Sequence, residues 1–294
     1  KYNIFLITKM SVVVPPQTWV YIPDQTVLIN VALATVFWTV LYIIATFLPI
    51  SQIKAFKTSE GKPVQISKWE TLDTQNRYIS LVHGIMCIIL SFYDVTYLNL
   101  PCGSPNHPVQ TFLITVSCGY FLYDLLAMMY YGLLDRSMLL HHGICILGYY
   151  LVLCFGASAS ELIAGVYISE VSNPFMHMRI ISRNFGYRHT KFYEACEYIY
   201  ILLYIYYRLL KGIFVVWNCA ACQNGNHPII RLLSVLLAVQ SYFFVYKMVS
   251  ILKGRFSEKA ERDKVGVSLF WFNHNKDVEK LSYYKKSAKR DGIP

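Results

Sequence analysis

Charge is what this sequence has least of. Only 15% of its 294 residues are Asp, Glu, Lys or Arg, against roughly 25% in soluble domains, and 55% are hydrophobic. That composition excludes an ordinary soluble globular domain. Motifs that carry chemistry are scarce as well. There is no glycine-rich nucleotide loop, no haem motif and no Ser or Cys nucleophile motif, and no cofactor is implied. The net charge of +10 comes without a nucleic-acid-binding motif, so nucleic acid is not expected as a partner. A secretory signal is also missing: Ile4–Ile7 is too short for an apolar signal core, and Pro15, Pro16 and Pro23 follow it. The chain begins with Lys1, so the natural start is read as Met10 or a residue upstream.

What the sequence does have is long apolar runs. Seven can be marked, at 27–48, 79–98, 109–132, 138–157, 159–180, 196–217 and 229–252, several of them reaching or approaching the ~20 residues a bilayer-spanning helix needs. Threading the chain through a membrane seven times sorts its basic residues. One side collects Lys54, Lys57, Lys62, Lys68, Arg77, Arg136, Arg179, Arg183, Arg188, Lys191 and twelve residues from Lys247 to Arg290; the other has only Lys1, Lys9 and Arg231. This ratio of 22 to 3 is the asymmetry that keeps positive loops cytoplasmic. The sequence therefore predicts an all-α integral membrane protein of about seven transmembrane helices. Its N-terminus lies outside, and its C-terminus in the cytoplasm, or in the matrix if the membrane is the mitochondrial inner one.

Five regions follow. Residues 1–26 form an extramembrane segment punctuated by proline, with Trp19 and Tyr21 suited to the interface; 27–48 is the first span, ending at Pro49. Residues 49–76 are a polar, basic loop with a turn signal at Gly61-Lys62-Pro63; 77–255 hold six closely spaced spans. Residues 256–294 are a basic tail, with an apolar island at Val265–Phe272 that reads either as a short interfacial helix or as part of a disordered tail.

Ionisable residues inside spans are costly, and usually face the bundle interior or a water-filled cavity. They are His83, Asp124, the pair His141 and His142, Glu170 and Arg208, on five different spans at the middle or inner half of the membrane. Two readings stay open: a polar-headed lipid cavity, or a structural network with Glu170 paired to Arg208. Adjacent histidines point about 100° apart on a helix, so His141 and His142 cannot face one spot, and they lack the i, i+4 spacing of a helical zinc site. His142 is the one expected in the cavity, beside Asp124 and His83, because it falls nearer the stripe of Cys145, Tyr149 and Val152.

Most of the eight cysteines read as small core residues, but Cys102, Cys219 and Cys222 fall on the outer side, in two loops that echo each other. One ends Asn106-His107-Pro108 and the other Asn226-His227-Pro228, where Asn capping a helix and Pro starting it is the plain explanation. A disulfide from Cys102 to Cys219 or Cys222 is a second reading. C-x2-C followed by one His is only part of a zinc pattern, so no metal is assigned.

Arg77-x-x-Ser80-x-x-His83, Gly119-Tyr120-Phe121-Leu122-Tyr123-Asp124, His141-His142 and Glu170-x-x-Asn173-Pro174 together resemble the TLC domain. That domain is shared by translocation-associated membrane proteins, ceramide synthases and a set of poorly characterised TLC domain-containing proteins, the last looking closest. The resemblance spans about residues 72–255. It implies a helical bundle around a long-chain lipid cavity, in the endoplasmic reticulum or another endomembrane. In ceramide synthases a His pair followed by His-Asp and a further Asp carries acyl transfer. Here the later block reads Tyr167-Ile168-Ser169-Glu170-Val171-Ser172-Asn173, without that histidine or either aspartate. Three functions follow as expectations. The first is lipid binding or membrane lipid homeostasis without clear catalysis, with membrane lipids as partners. The second is an accessory subunit contacting other membrane protein subunits. The third is acyl-CoA-dependent acyl transfer with His141 or His142 as catalytic base.

Overall fold

The computed structural model describes residues 24–48, 50, 52–57, 63–222 and 225–285. The proline-punctuated segment up to residue 23, Pro49, and the turn residues Gly61 and Lys62 lie outside them.

Among the described residues, six helical stretches are long and apolar enough to cross a membrane. They are α1 (Asp24–Thr46), α2 (Lys68–Tyr93, running on as a π turn to Leu98), α3 (Pro108–Tyr130), α4 (Arg136–Phe155), the composite Lys191–Ala221 made of α7 (Lys191–Tyr204) and α8 (Gly212–Ala221), and α9 (Pro228–Val265). The chain is thus an all-α, multi-pass membrane protein. The apolar run 159–180, read as one span, is instead two helices, α5 (Ala159–Glu170) and α6 (Asn173–Asn184). Pro174 explains the break: it has no N–H for the Glu170 carbonyl, and its ring collides with that turn. α5 starts at the loop before α3, where Ser158 N donates to Ser104 O at 3.2 Å. α6 ends at the start of α2, where Asn184 Nδ2 donates to Asp73 Oδ2 at 2.9 Å. The pair therefore carries the chain from one end of the bundle to the other, as a broken crossing among continuous ones.

α1 packs on α3 at close range. A Cβ at Gly119 would stand 2.5 Å from that of Ala34, and the Trp38 indole donates to Val116 O at 2.9 Å. At one end of the bundle the two echoing loops meet: Cys102 and Cys222 form a disulfide with Cα atoms 6.3 Å apart, while Cys219 stays a free, buried thiol. Gly103, at φ +70°, lies directly against the Gly225 backbone, where a side chain has no room. The helix caps are His107 and His227, not the asparagines: Nδ1 of each accepts from the backbone two residues on, at 3.3 Å. Asn106 and Asn226 instead donate to Val152 O and Cys219 O, holding each loop to a neighbouring helix.

The basic end is more ordered than its composition suggests. The 49–76 loop holds an antiparallel pair, β1 (Ile53–Lys57) and β2 (Pro63–Gln65), and α2 begins well before its apolar part, at Ser67, whose side chain and Glu70 close a capping box. α9 runs to Val265, about 20 Å beyond the apolar run that ends near residue 252. Its extension is held by ion pairs to α7: Arg255 to Glu197, and Arg262 to Glu194 at 2.7 Å. The island at Val265–Phe272 is neither a helix nor loose. After α9 ends it runs back along α7, with Lys191 N donating to Phe270 O at 2.8 Å.

Candidate functional site

The ionisable residues singled out in the spans fall into two clusters that share α4. In the first, α2, α3 and α4 meet face to face. Asn76 Nδ2 donates to Asp124 Oδ1 at 2.7 Å, and Tyr123 donates its hydroxyl to Asn76 Oδ1 at 2.7 Å. Asp124 Oδ2 lies 2.9 Å from His142 Nε2, and His142 Nδ1 lies 2.9 Å from Met138 O. Both ring nitrogens thus face oxygen atoms, one on Asp124 and one on the α4 backbone, and the two contacts fix the ring's orientation. Tyr120 donates to Ser80 Oγ at 2.9 Å and stacks on His83 with ring centres 3.8 Å apart; His83 Nε2 reaches Ser117 Oγ at 3.2 Å. Asn76, Ser80, His83, Asp124 and His142 are all buried. The bundle brings Asp124 and His142 together and places His83 nearby, as expected, but in a network of side chains that does not line the cavity described next.

The second cluster borders open space. α4, α5, α8 and α9 surround a cavity of about 1120 Å³ of atom-free space, its open mouth included. Its α4 wall is His141, Ile144, Cys145, Gly148 and Tyr149, one helical stripe; its α9 wall runs from Ile230 to Phe244. At 1.5 Å per residue that stretch is about 21 Å long. Gly148, Gly165 and Gly212 keep three of the walls thin, and nothing stands within 4 Å of where a Cβ on Gly165 would be. Polar groups gather at the end away from the disulfide: His141, Ser169, Glu170, Arg208, Gln240 and Ser241. Glu161 borders the opposite end, with Oε1 accepting from Gly103 N at 2.8 Å.

Two irregularities put charge there. The break after Glu170 frees the Ser169 carbonyl, which accepts from Arg208 Nη2 at 2.6 Å. Arg208 itself sits in a π-helical stretch, Ile205–Lys211, that joins α7 to α8 and turns its side chain toward the break. Asn173, the first residue of α6, bridges the two charges: its Oδ1 accepts from Arg208 Nη2 at 3.3 Å and its Nδ2 donates to Glu170 Oε2 at 2.9 Å. The expected Glu170–Arg208 pairing is therefore made through an amide. Glu170 also fits tightly against α2, its Oε2 lying 3.2 Å from where a Cβ on Gly84 would be.

The expectation that His142, Asp124 and His83 line the cavity is corrected: His141 lines it, with Glu170 and Arg208. Cys145 and Tyr149 lie on the stripe of either histidine to within the angle between adjacent residues. Asp124 on α3 captures His142 and leaves its neighbour to the cavity. Sequence reasoning also passed over Asn76 and Gln240, and met Asn173 only as part of the family resemblance. Gln240 carried a usable signal, as the one amide in the apolar part of the last span.

A comparison with known families matches the TLC domain over residues 73–253, from α2 to α9. The match covers more than half of the sequence, and the chain belongs to the TLC domain family.

Proposed function

We propose that this TLC-domain membrane protein binds a long-chain lipid, with the acyl chain along the cavity between α4, α5, α8 and α9 and the head beside His141, Glu170, Arg208 and Gln240. The observation that carries this reading is the cavity itself, a space lined by about 21 Å of α9 with His141, Glu170, Arg208 and Gln240 gathered toward one end. A purely structural network needs no such space, and the one around Asp124 does not line it. The role is lipid binding or lipid homeostasis without clear catalysis, in an endomembrane. The basic end, with its ordered tail, is placed on the cytoplasmic side, as the charge asymmetry supports.

The test is mass spectrometry of lipids that co-purify with the full chain in mild detergent, comparing wild type with Gly165→Leu. A leucine at that position extends into the open space, so co-purified lipid should drop to a small fraction while the protein stays folded. Equal lipid in both preparations would remove the cavity as the binding site.

A second reading, acyl transfer, is favoured by one observation: His141 stands on the cavity wall, where a base would meet a bound substrate. Turnover of added acyl-CoA that disappears in His141→Gln would make that reading the leading one.

A further inference from the structure

The aromatic run Phe270-Trp271-Phe272 serves neither cluster, and its three side chains stand 49%, 55% and 62% exposed. This is not the exposure of a loose tail. Leu269, the residue before them, is buried with Val278 and Leu281 in a small core of the C-terminal segment. The segment therefore folds with one apolar side chain in and the next three out. The carbonyls of Phe270 and Trp271 accept from Lys191 N at 2.8 Å and Phe192 N at 3.3 Å. They thereby fill two of the N–H groups that the first turn of α7 leaves without partners inside the helix. The rings of Phe192 and Phe272 add a contact, with centres 5.5 Å apart.

That attachment sets the height of the run against the membrane. Phe192 and Ile199 are seven residues apart, so they share a face of α7 to within about 20°, and Lys191 and Leu202 are aligned in the same way. Ile199 and Leu202 are exposed on a stretch that crosses the membrane, which marks that side of α7 as lipid-facing. Phe192 lies about 10 Å from Ile199 along the helix. The hydrocarbon ends between them, because Glu194 and Glu197 are ion-paired there with Arg262 and Arg255. The aromatic run thus stands at the level of the headgroups, whose layer is about 5–8 Å thick on each side. Charge points the same way. Lys191, Lys264 and Lys276 beside the run are exposed, while Glu194, Glu197 and Glu258 are held by arginines.

We propose that Phe270, Trp271 and Phe272 dock the C-terminal segment on an anionic lipid surface, the leaflet at the basic end of the bundle. The rings lie among the headgroups, where amphipathic aromatics are favoured, and Lys191, Lys264 and Lys276 meet the negative charge of the lipid. A lipid surface is the occupant because the run continues the side of α7 that already faces lipid. The surface is separate from the cavity and does not depend on what the cavity binds.

The experiment reconstitutes the full chain into phosphatidylcholine vesicles with and without phosphatidylserine. Trp271 fluorescence is isolated as the difference between wild type and Trp271→Phe. A nitroxide on the acyl chain just below the headgroup should quench most of that signal, and aqueous acrylamide should quench little of it. Phosphatidylserine should slow proteolysis after residue 265 by at least about tenfold, as several lysines close to a charged surface would. Changing Phe270→Ser, Trp271→Ser and Phe272→Ser together should remove most of that protection. Strong quenching by acrylamide with none by the nitroxide would place the run in water and overturn the proposal. Shielding from both quenchers would mean that protein, a second copy or another subunit, covers the run, and would overturn it too. Equal proteolysis with and without phosphatidylserine would overturn it as well. If the triple variant does not fold, the wild-type quenching and proteolysis decide.

Discussion

His141 and His142 are neighbours in sequence, with ring centres 5.7 Å apart, yet they belong to different kinds of site. Around His142 the polar groups of α2, α3 and α4 pair with one another. Around His141, the side chains of Glu170, Arg208 and Gln240 stand on the wall of a cavity. Burial alone does not separate the two clusters, since Asp124 and Glu170 are buried to nearly the same degree, 7% and 8% exposed. What separates them is the open space beside one of them. A polar network in a membrane that satisfies itself holds helices together. One that borders open space, as the cluster at His141 does, is the candidate lipid site.

Mutations on the two sides should break this comparison differently. The largest effect belongs to Asp124→Leu. It leaves His142 and Asn76 buried without their acceptor, which should cost roughly 3–5 kcal/mol, the loss typical of a broken buried pair. It should show as a large fall in melting temperature and in yield of folded protein. Arg208→Leu comes next at about 1–3 kcal/mol, because Ser169 O and Asn173 Oδ1 lose one donor each. Glu170→Gln in that background should recover part of the loss, since the amide bridge couples the two charges. Strict additivity in the double-mutant cycle would mean that the bridge carries no coupling.

A smaller effect comes from outside both clusters. Burial, with the charge of Arg188 behind it, holds the His189 imidazole down to about 2, well below its ordinary 6.5. Arg255, Arg262 and His274 add to that field, and the Tyr283 and Tyr284 rings of the C-terminal segment pack against it. Because the folded value is depressed, the neutral ring's contribution is complete above about pH 6.5 and is lost progressively as pH falls toward 2. Proteolysis after residue 265 should therefore speed up as pH drops below 6.5, and His189→Phe should flatten that dependence. An unchanged profile would show that the segment is held by its ion pairs alone.

Much of the fold could be read from apolar length and basic flanks, because a lipid solvent imposes both on any spanning helix. Local rules could not give the rest. Pro174 is visible in the sequence, but an apolar run with a proline reads as one span until its tertiary partners show the break. The π stretch around Arg208 changes winding without changing composition. Arg255 and Arg262 look like a soluble tail until Glu197 and Glu194, 58 and 68 residues earlier, come alongside them. The choice between His141 and His142 depends on Asp124 arriving from another helix. Gln240 was hidden by its lack of charge: counting ionisable groups finds the costliest residues but passes over an amide, which also costs free energy to bury unpaired.

The most direct test of the distinction between the clusters is ligand-dependent thermal stability of the delipidated full chain. Lipid extracted from the wild-type preparation is added back, and the rise in melting temperature measures binding to the folded state. Wild type should show a clear rise. Asp124→Leu should start lower yet rise by about the same amount, and Gly165→Leu should start near wild type and barely rise. The account is contradicted if Asp124→Leu abolishes the rise while Gly165→Leu preserves it, because the network around Asp124 would then be the lipid site.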